Sequence, residues 1–242
     1  MTIQGIPGAD RYAYPDDSRH NVVRNNTITG PFIRHGVLLQ YYTHNNLVEG
    51  NVLTATALDA IDLHGEDEYL NEIRWNLVRD SQASGIGLGN TGGTATQHDA
   101  SGPGNWIHHN LLSGNREGVK VGLGTPDTTI ENNVIHGDGA RAGSTGLYVL
   151  NAPGTVLDRN WVFSQGVDDY WAVRIAVDPG DPRTGAGAGA PVDVHVKRTV
   201  AAGHLNGIRV DAGQQIVLDR NFLRGARGER LRIAPEAGVT QR

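Results

Sequence analysis

Hydrophobic and polar positions along the chain fall into two short phrases that alternate through most of its length. The first is a small residue followed by apolar, variable, apolar and variable positions. It reads GVLLQ from Gly36, AIDLH from Ala60, GIGLG from Gly85, GVKVG from Gly118, GLYVL from Gly146, AVRIA from Ala172 and GIRVD from Gly207. Alternation of period two over five residues, bounded by turn formers, predicts a strand with one buried face. The second phrase carries an Asn, an apolar residue two positions on, and a second Asn followed by more apolar residues. It reads NVVRNNTI from Asn21, NLVEGNVL from Asn46, NEIRWNLV from Asn71 and NWIHHNLL from Asn105, with degenerate copies up to IVLDRNFL from Ile216. Aligned, its second Asn gives the column Asn26, Asn51, Asn76, Asn110, Asn133, Asn160, Thr199 and Asn221.

Most steps in that column are 22 to 27 residues, and two are longer, at 34 and 39. No helical period of useful length intervenes, so the strands cannot belong to βαβ units. They can coil, each turn laying its strands about 4.8 Å from those of the turn before. The pattern therefore predicts an all-β parallel β-helix solenoid of about eight coils and three parallel sheets, its Asn column stacked as a ladder in one turn. One domain is expected over residues 1–242, with clear repeats over 18–232. The long steps place loop insertions at 90–104 and 178–191, both after the first strand of a coil and therefore at the same corner. Long loops in a tight solenoid commonly carry function.

Composition sharpens this picture at a few points. The 33 glycines suit many tight turns, and the lack of cysteine excludes disulfides and thiolate metal sites. A net charge of -5 with 19% charged residues supplies no basic field for nucleic acid. No stretch reaches membrane-spanning length. Secretion or cell-surface display is the expected location, with the export signal and any flanking domains lying outside this sequence.

Candidate chemistry comes from the outward slots of the first strand. The variable middle position gives the row Leu38, Asp62, Gly87, Lys120, Tyr148, Arg174, Arg209 and Arg232, and the slot before it adds Glu117 and Trp171. Lys120, Arg174 and Arg209 suit carboxylates along a groove, and Trp171, Tyr69 and His98 are candidate substrate contacts. A lysine or arginine in that row could also take the proton alpha to a uronate carboxyl group. Ordinary ion pairs with Glu117, Asp211 and Glu229 are the competing reading of the same cations. In DAIDLHGEDEYLNE, Asp62 and His64 share one strand face about 6.6 Å apart. Three readings of that segment compete: acid–base catalysis by Asp62 and His64 with Tyr148 or Tyr69 as a second proton route, a Ca2+ site at Glu66, Asp67 and Glu68, and a solvated acidic turn.

The paired phrases and their stacked slots resemble the pectate-lyase-like superfamily of right-handed parallel β-helix proteins, over roughly Ser18 to Arg232. Asp62-Leu63-His64 is similar to the Asp-Pro-His core of the mannuronan epimerases of that fold, with Leu in the middle place and Gly87 where the family has an acidic partner. The resemblance implies a polysaccharide-processing enzyme acting on a uronate-containing glycan, lyase- or epimerase-like. Catalytic roles then fall to Asp62, His64, Lys120 and Tyr148, with Ca2+ as the candidate ion. A glycoside hydrolase using carboxylates from Asp62, Glu66, Asp67 and Asp99, and a non-catalytic carbohydrate-binding or adhesin module, are the alternatives.

Overall fold

The structure, a computed structural model, describes residues 1–5, 18–64, 67–89 and 101–242. Glu66, His98 and Asp99, and most of the expected loop 90–104, lie outside the described residues. Among the described residues the strands form two nine-stranded sheets, one eight-stranded sheet and a two-stranded pair, with every strand pairing in them parallel. Each coil visits the three large sheets in the same order. The coil starting at Glu117–Val121 in sheet 1, for example, continues through Thr129–Glu131 in sheet 2 and Val134–His136 in sheet 3.

Register follows the repeat phrases residue for residue. Val37, Ile61, Ile86, Val119, Leu147, Val173, Ile208 and Leu231 are successive partners across sheet 1. All of these but Leu231 are fully buried. Sheets 2 and 3 add their own inward columns, such as Ile73, Ile107 and Ile130, and Val78, Leu112 and Ile135. A sheet-1 strand buries the side chains that its period-two alternation sends inward, and one solenoid-long core results. The small residue that opens each strand has a steric reason. A Cβ on Gly118 would stand 2.5 Å from the carbonyl oxygen of Gly146 on the next coil, closer than any side chain tolerates.

The Asn column is a ladder, as expected, and a second ladder runs beside it. Asn26, Asn51, Asn76, Asn110, Asn133 and Asn160 are joined rung to rung by side-chain amide bonds of 3.0 Å. The first Asn of the phrase forms the other, Asn21 to Asn46 to Asn71 to Asn105, at 3.0, 3.0 and 3.2 Å. Each Oδ1 also accepts the backbone N–H of the residue one coil before, as Asn110 does from Asn76 at 3.0 Å. Buried turn backbone is thereby satisfied without water. The degenerate copies end the ladders: Thr128 and Thr155 occupy the first column, and Thr199 the second.

The long corner after Trp171–Ile175 folds back over the earlier coils. The Asp178 carboxylate accepts the backbone N–H of Leu123 at 2.7 Å, and Asn151 Nδ2 donates to the Gly187 carbonyl at 3.0 Å. The 178–191 insertion is thus a packed rim at the edge of sheet 1.

Candidate functional site: a buried Asp–His cluster on sheet 1

Two columns of side chains on the outer face of sheet 1 build the site. One runs Leu38, Asp62, Gly87, Lys120, Tyr148, Arg174, Arg209 and Arg232, each paired in register with the next. The other holds Ser84, Glu117, Thr145, Trp171 and Asn206 in the same way. Extended towards the N-terminus, it reaches Asp59 and His35, because residues 33–37 and 57–60 hydrogen-bond alongside each other. His35 precedes Gly36, where a Cβ would stand 2.8 Å from the Ala60 carbonyl oxygen, so a glycine is what lets the chain pass this close.

The outcome is a cluster that the repeat phrases only half revealed. His35 Nδ1 and His64 Nδ1 lie 3.2 and 3.3 Å from the same oxygen, Oδ2 of Asp62. Asp62 is fully buried and His64 is 6% exposed, so these outward slots are covered. Asp59 joins them, with one ligand atom each from His35, Asp59 and Asp62 within 4.8 Å of one another. The Asp59 carboxyl is pushed above its ordinary value by burial and then by the Asp62 charge, against a bond from the Ser84 backbone and the nearby Lys120. One carboxylate between two imidazoles, with a second acidic group raised above its ordinary range beside it, is an arrangement fit to move protons.

Lys120 lies two strands beyond Asp62, about 10 Å along the axis, with only Gly87 between them. Its charge is felt by both Asp59 and Glu117. Burial raises the Glu117 carboxyl and the Tyr148 hydroxyl above their usual ranges. The guanidinium of Arg174 sits 5.4 Å from the Tyr148 ring centre.

The C-terminal half of the row is more self-paired than a free cationic groove. Arg174 and Arg209 donate to opposite oxygens of Asp211, at 2.9 and 2.6 Å. Trp171 is 2% exposed beneath Arg209 and Arg232, and its indole N–H donates to Asp169 at 2.9 Å. It is placed as a support for two arginines and not as an open platform. Tyr69 stacks on His44, rings 4.5 Å apart and nearly parallel.

At Glu68 the acidic turn is not a solvated loop. Glu68 is fully buried: Oε1 accepts the Tyr41 backbone N–H at 2.8 Å, and Oε2 lies 3.2 Å from Ser101 Oγ. Ser101 Oγ is placed to donate either to Glu68 Oε2 or to the Leu63 carbonyl at 3.1 Å, and it accepts the Gly89 backbone N–H at 3.3 Å. Burial raises the Glu68 carboxyl well above the glutamate range. Asp67 is half-buried in the left-handed region, at φ 58°. The potential metal-ligand group of three found among the described residues is therefore His35, Asp59 and Asp62, one strand away from the turn expected to hold Ca2+.

Glu68 carries a stability prediction. A carboxyl raised in the folded state contributes fully below its unfolded value and loses that contribution as pH rises through the folded value. Each unit of difference is worth about 1.4 kcal/mol. Stability is therefore expected to fall as pH rises from the ordinary glutamate range to the raised one. In Glu68→Gln, where the amide can donate to Ser101 and accept from Tyr41, that fall should be reduced. Urea unfolding across pH 4 to 8 checks this, and parallel curves for the two proteins would refute it.

Comparison with known proteins follows the same lines. Residues 10–122 match a family model described as periplasmic copper-binding protein (NosD). No curated protein matches the sequence. Among solved structures, the A-module of mannuronan C-5 epimerase AlgE4 from Azotobacter vinelandii aligns at 17% identity and TM-score 0.62, over 93% of this chain and 57% of that one. DFA-IIIase from Arthrobacter chlorophenolicus A6 aligns at 14% identity and TM-score 0.52, over 93% of this chain and 48% of that one. The chain thus spans about half the length of these two structures. Such identities speak to architecture and not to reaction. Among the described residues no helix is long and apolar enough to cross a membrane. In its sheets and ladders the chain is a right-handed parallel β-helix, the architecture it shares with these two structures.

Proposed function

We propose that the chain is a polysaccharide-processing enzyme acting on a uronate-containing glycan, lyase- or epimerase-like, with its site on the outer face of sheet 1. The observation that carries this reading is the pair of imidazoles sharing one buried carboxylate oxygen, at 3.2 and 3.3 Å, beside the row Lys120, Tyr148 and Arg174. The likeness of fold to a mannuronan C-5 epimerase module supports it. In this reading Lys120 binds the carboxylate of the reacting uronate and stabilises the negative charge that develops on it, while Arg174, four strands from Asp62, faces a sugar further along the polymer. His64 in its neutral form takes the C5 proton, oriented by Asp62. Elimination then breaks the C4–O bond, forms the C4–C5 double bond and passes a proton from Tyr148 to the leaving oxygen. Epimerisation instead returns a proton to C5 from the opposite face.

A cation is compatible with the same cluster. Ca2+ takes oxygen ligands, whereas one imidazole with two carboxylates also suits a late first-row ion such as the copper named by the matched family. His35, Asp59 and Asp62 would hold it, and it would offset two buried carboxylates.

The test is absorbance near 235 nm on alginate, pectate and glycosaminoglycans, with proton NMR of the polymer for C5 inversion. It is run with added Ca2+, with added Cu2+ and after EDTA, and calorimetry reads ion binding directly. A rise in absorbance or inverted residues supports the reading. Neither signal on any polymer under any of these conditions rules it out.

A further inference from the structure

Sheets 2 and 3 both carry apolar residues on their outer faces, but on sheet 2 the column of Val22, Leu47 and Trp106 is interrupted by Glu72, Thr129 and His195. Sheet 2 presents a charge ladder that pairs with itself, with Arg74 held by Glu49 and Glu72, and Arg159 by Glu131. Sheet 3 presents a column in which seven consecutive strands, from Val52 through Val134 to Phe222, each place an apolar residue outward in register. Leu111, Trp161 and Phe222 are 39%, 51% and 53% exposed, and the other four are half-buried. Strand spacing makes this stripe about 30 Å long. A contiguous apolar stripe of that length marks an interaction surface more often than scattered exposed residues do.

Side-chain size along the stripe identifies the occupant. The two largest residues, Trp161 and Phe222, lie in the C-terminal half, and the N-terminal half holds Val52, Leu77 and Leu111. A second copy turned end for end would set Val52 against Phe222, Leu77 against Val200 and Leu111 against Trp161, with Val134 meeting itself on the two-fold axis. Each large ring then faces a smaller aliphatic partner. Copies packed in the same direction would oppose Trp161 to Trp161 and leave a gap at Val52. We propose that this face of sheet 3 is an isologous dimer interface between two copies of the chain, packed end for end about the axis at Val134. It leaves sheet 1 of both copies open and does not depend on the reaction assigned there. The area is on the order of 500 Å² per copy, less than the roughly 800 Å² of a standard interface, so association in the micromolar range is expected.

Sedimentation velocity from 1 to 500 µM tests this without reference to activity. A monomer converting to a dimer with concentration, and Val134→Arg remaining monomeric with unchanged circular dichroism, are the expected results. The pairing itself is read by charge exchange. Leu111→Glu and Trp161→Lys should each weaken the dimer at least tenfold, and the double variant should recover it, because each Glu then faces a Lys of the other copy. A wild-type protein that stays monomeric at 500 µM, or a double variant no tighter than the singles, overturns the proposal.

Discussion

Replacing Asp62 by Asn is expected to lower turnover on a susceptible uronate polymer about 10³-fold, within the range that positioned acid–base groups supply. The change preserves shape while removing the charge that both imidazoles face. His64 would lose the negative charge 3.3 Å from its Nδ1, which stabilises the imidazolium formed when the ring takes a proton. His64→Ala should match this loss, whereas Arg209→Ala, at the far end of the row and committed to Asp211, should change turnover less than tenfold. Initial rates at 235 nm, with circular dichroism to confirm folding, give the comparison. Turnover by Asp62→Asn within threefold of the parent would remove Asp62 from the chemistry.

The second large effect concerns stability. Asn110→Leu, in the middle of the longer ladder, should destabilise the protein by about 3 kcal/mol or more. Its Oδ1 accepts the Asn76 backbone N–H and its Nδ2 donates to the Ile73 carbonyl, both at 3.0 Å and both buried. Leucine leaves that donor and that acceptor unpaired, at about 1 to 3 kcal/mol each. The damage also falls between coils, where a solenoid holds together only through neighbours. Asn221→Leu, at the half-buried end of the same column, should cost about 1 kcal/mol. Urea unfolding midpoints compare the two, and equal losses would show that position in the ladder does not matter.

Much of the fold was legible because the repeat period is the coil. A residue one period on is a neighbour one strand across, so aligning the phrases is the same operation as pairing the strands. This is why the column from Val37 to Leu231 and the row from Asp62 to Arg232 could be read directly from sequence. The small residues that open each sheet-1 strand were equally visible, although their reason, the carbonyl of the next coil, was not. The first-Asn ladder was also written in the phrase and was missed, because the second Asn persists through more coils and masks it. His35 and Asp59 left a fainter signal. Carrying the slot of Glu117 and Trp171 back two strands would have reached Asp59, and a third strand His35, but His35 lies ahead of its strand, in a turn with no phrase of its own.

The sequence by itself determined which residues face in, which face out and which stand beside each other on successive coils, since a two-residue period sets the face and the recurring phrases set the register even where a corner is longer. Only the tertiary structure decided which outward residues are covered. Asp62 and His64 occupy outward slots and are nevertheless buried, Trp171 lies under two arginines, and Glu68 turns inward to Tyr41 and Ser101. Alternation fixes the direction of a side chain. Its environment depends on what the non-repeating corners lay across it, and the solvation that tunes each acid and base is set there.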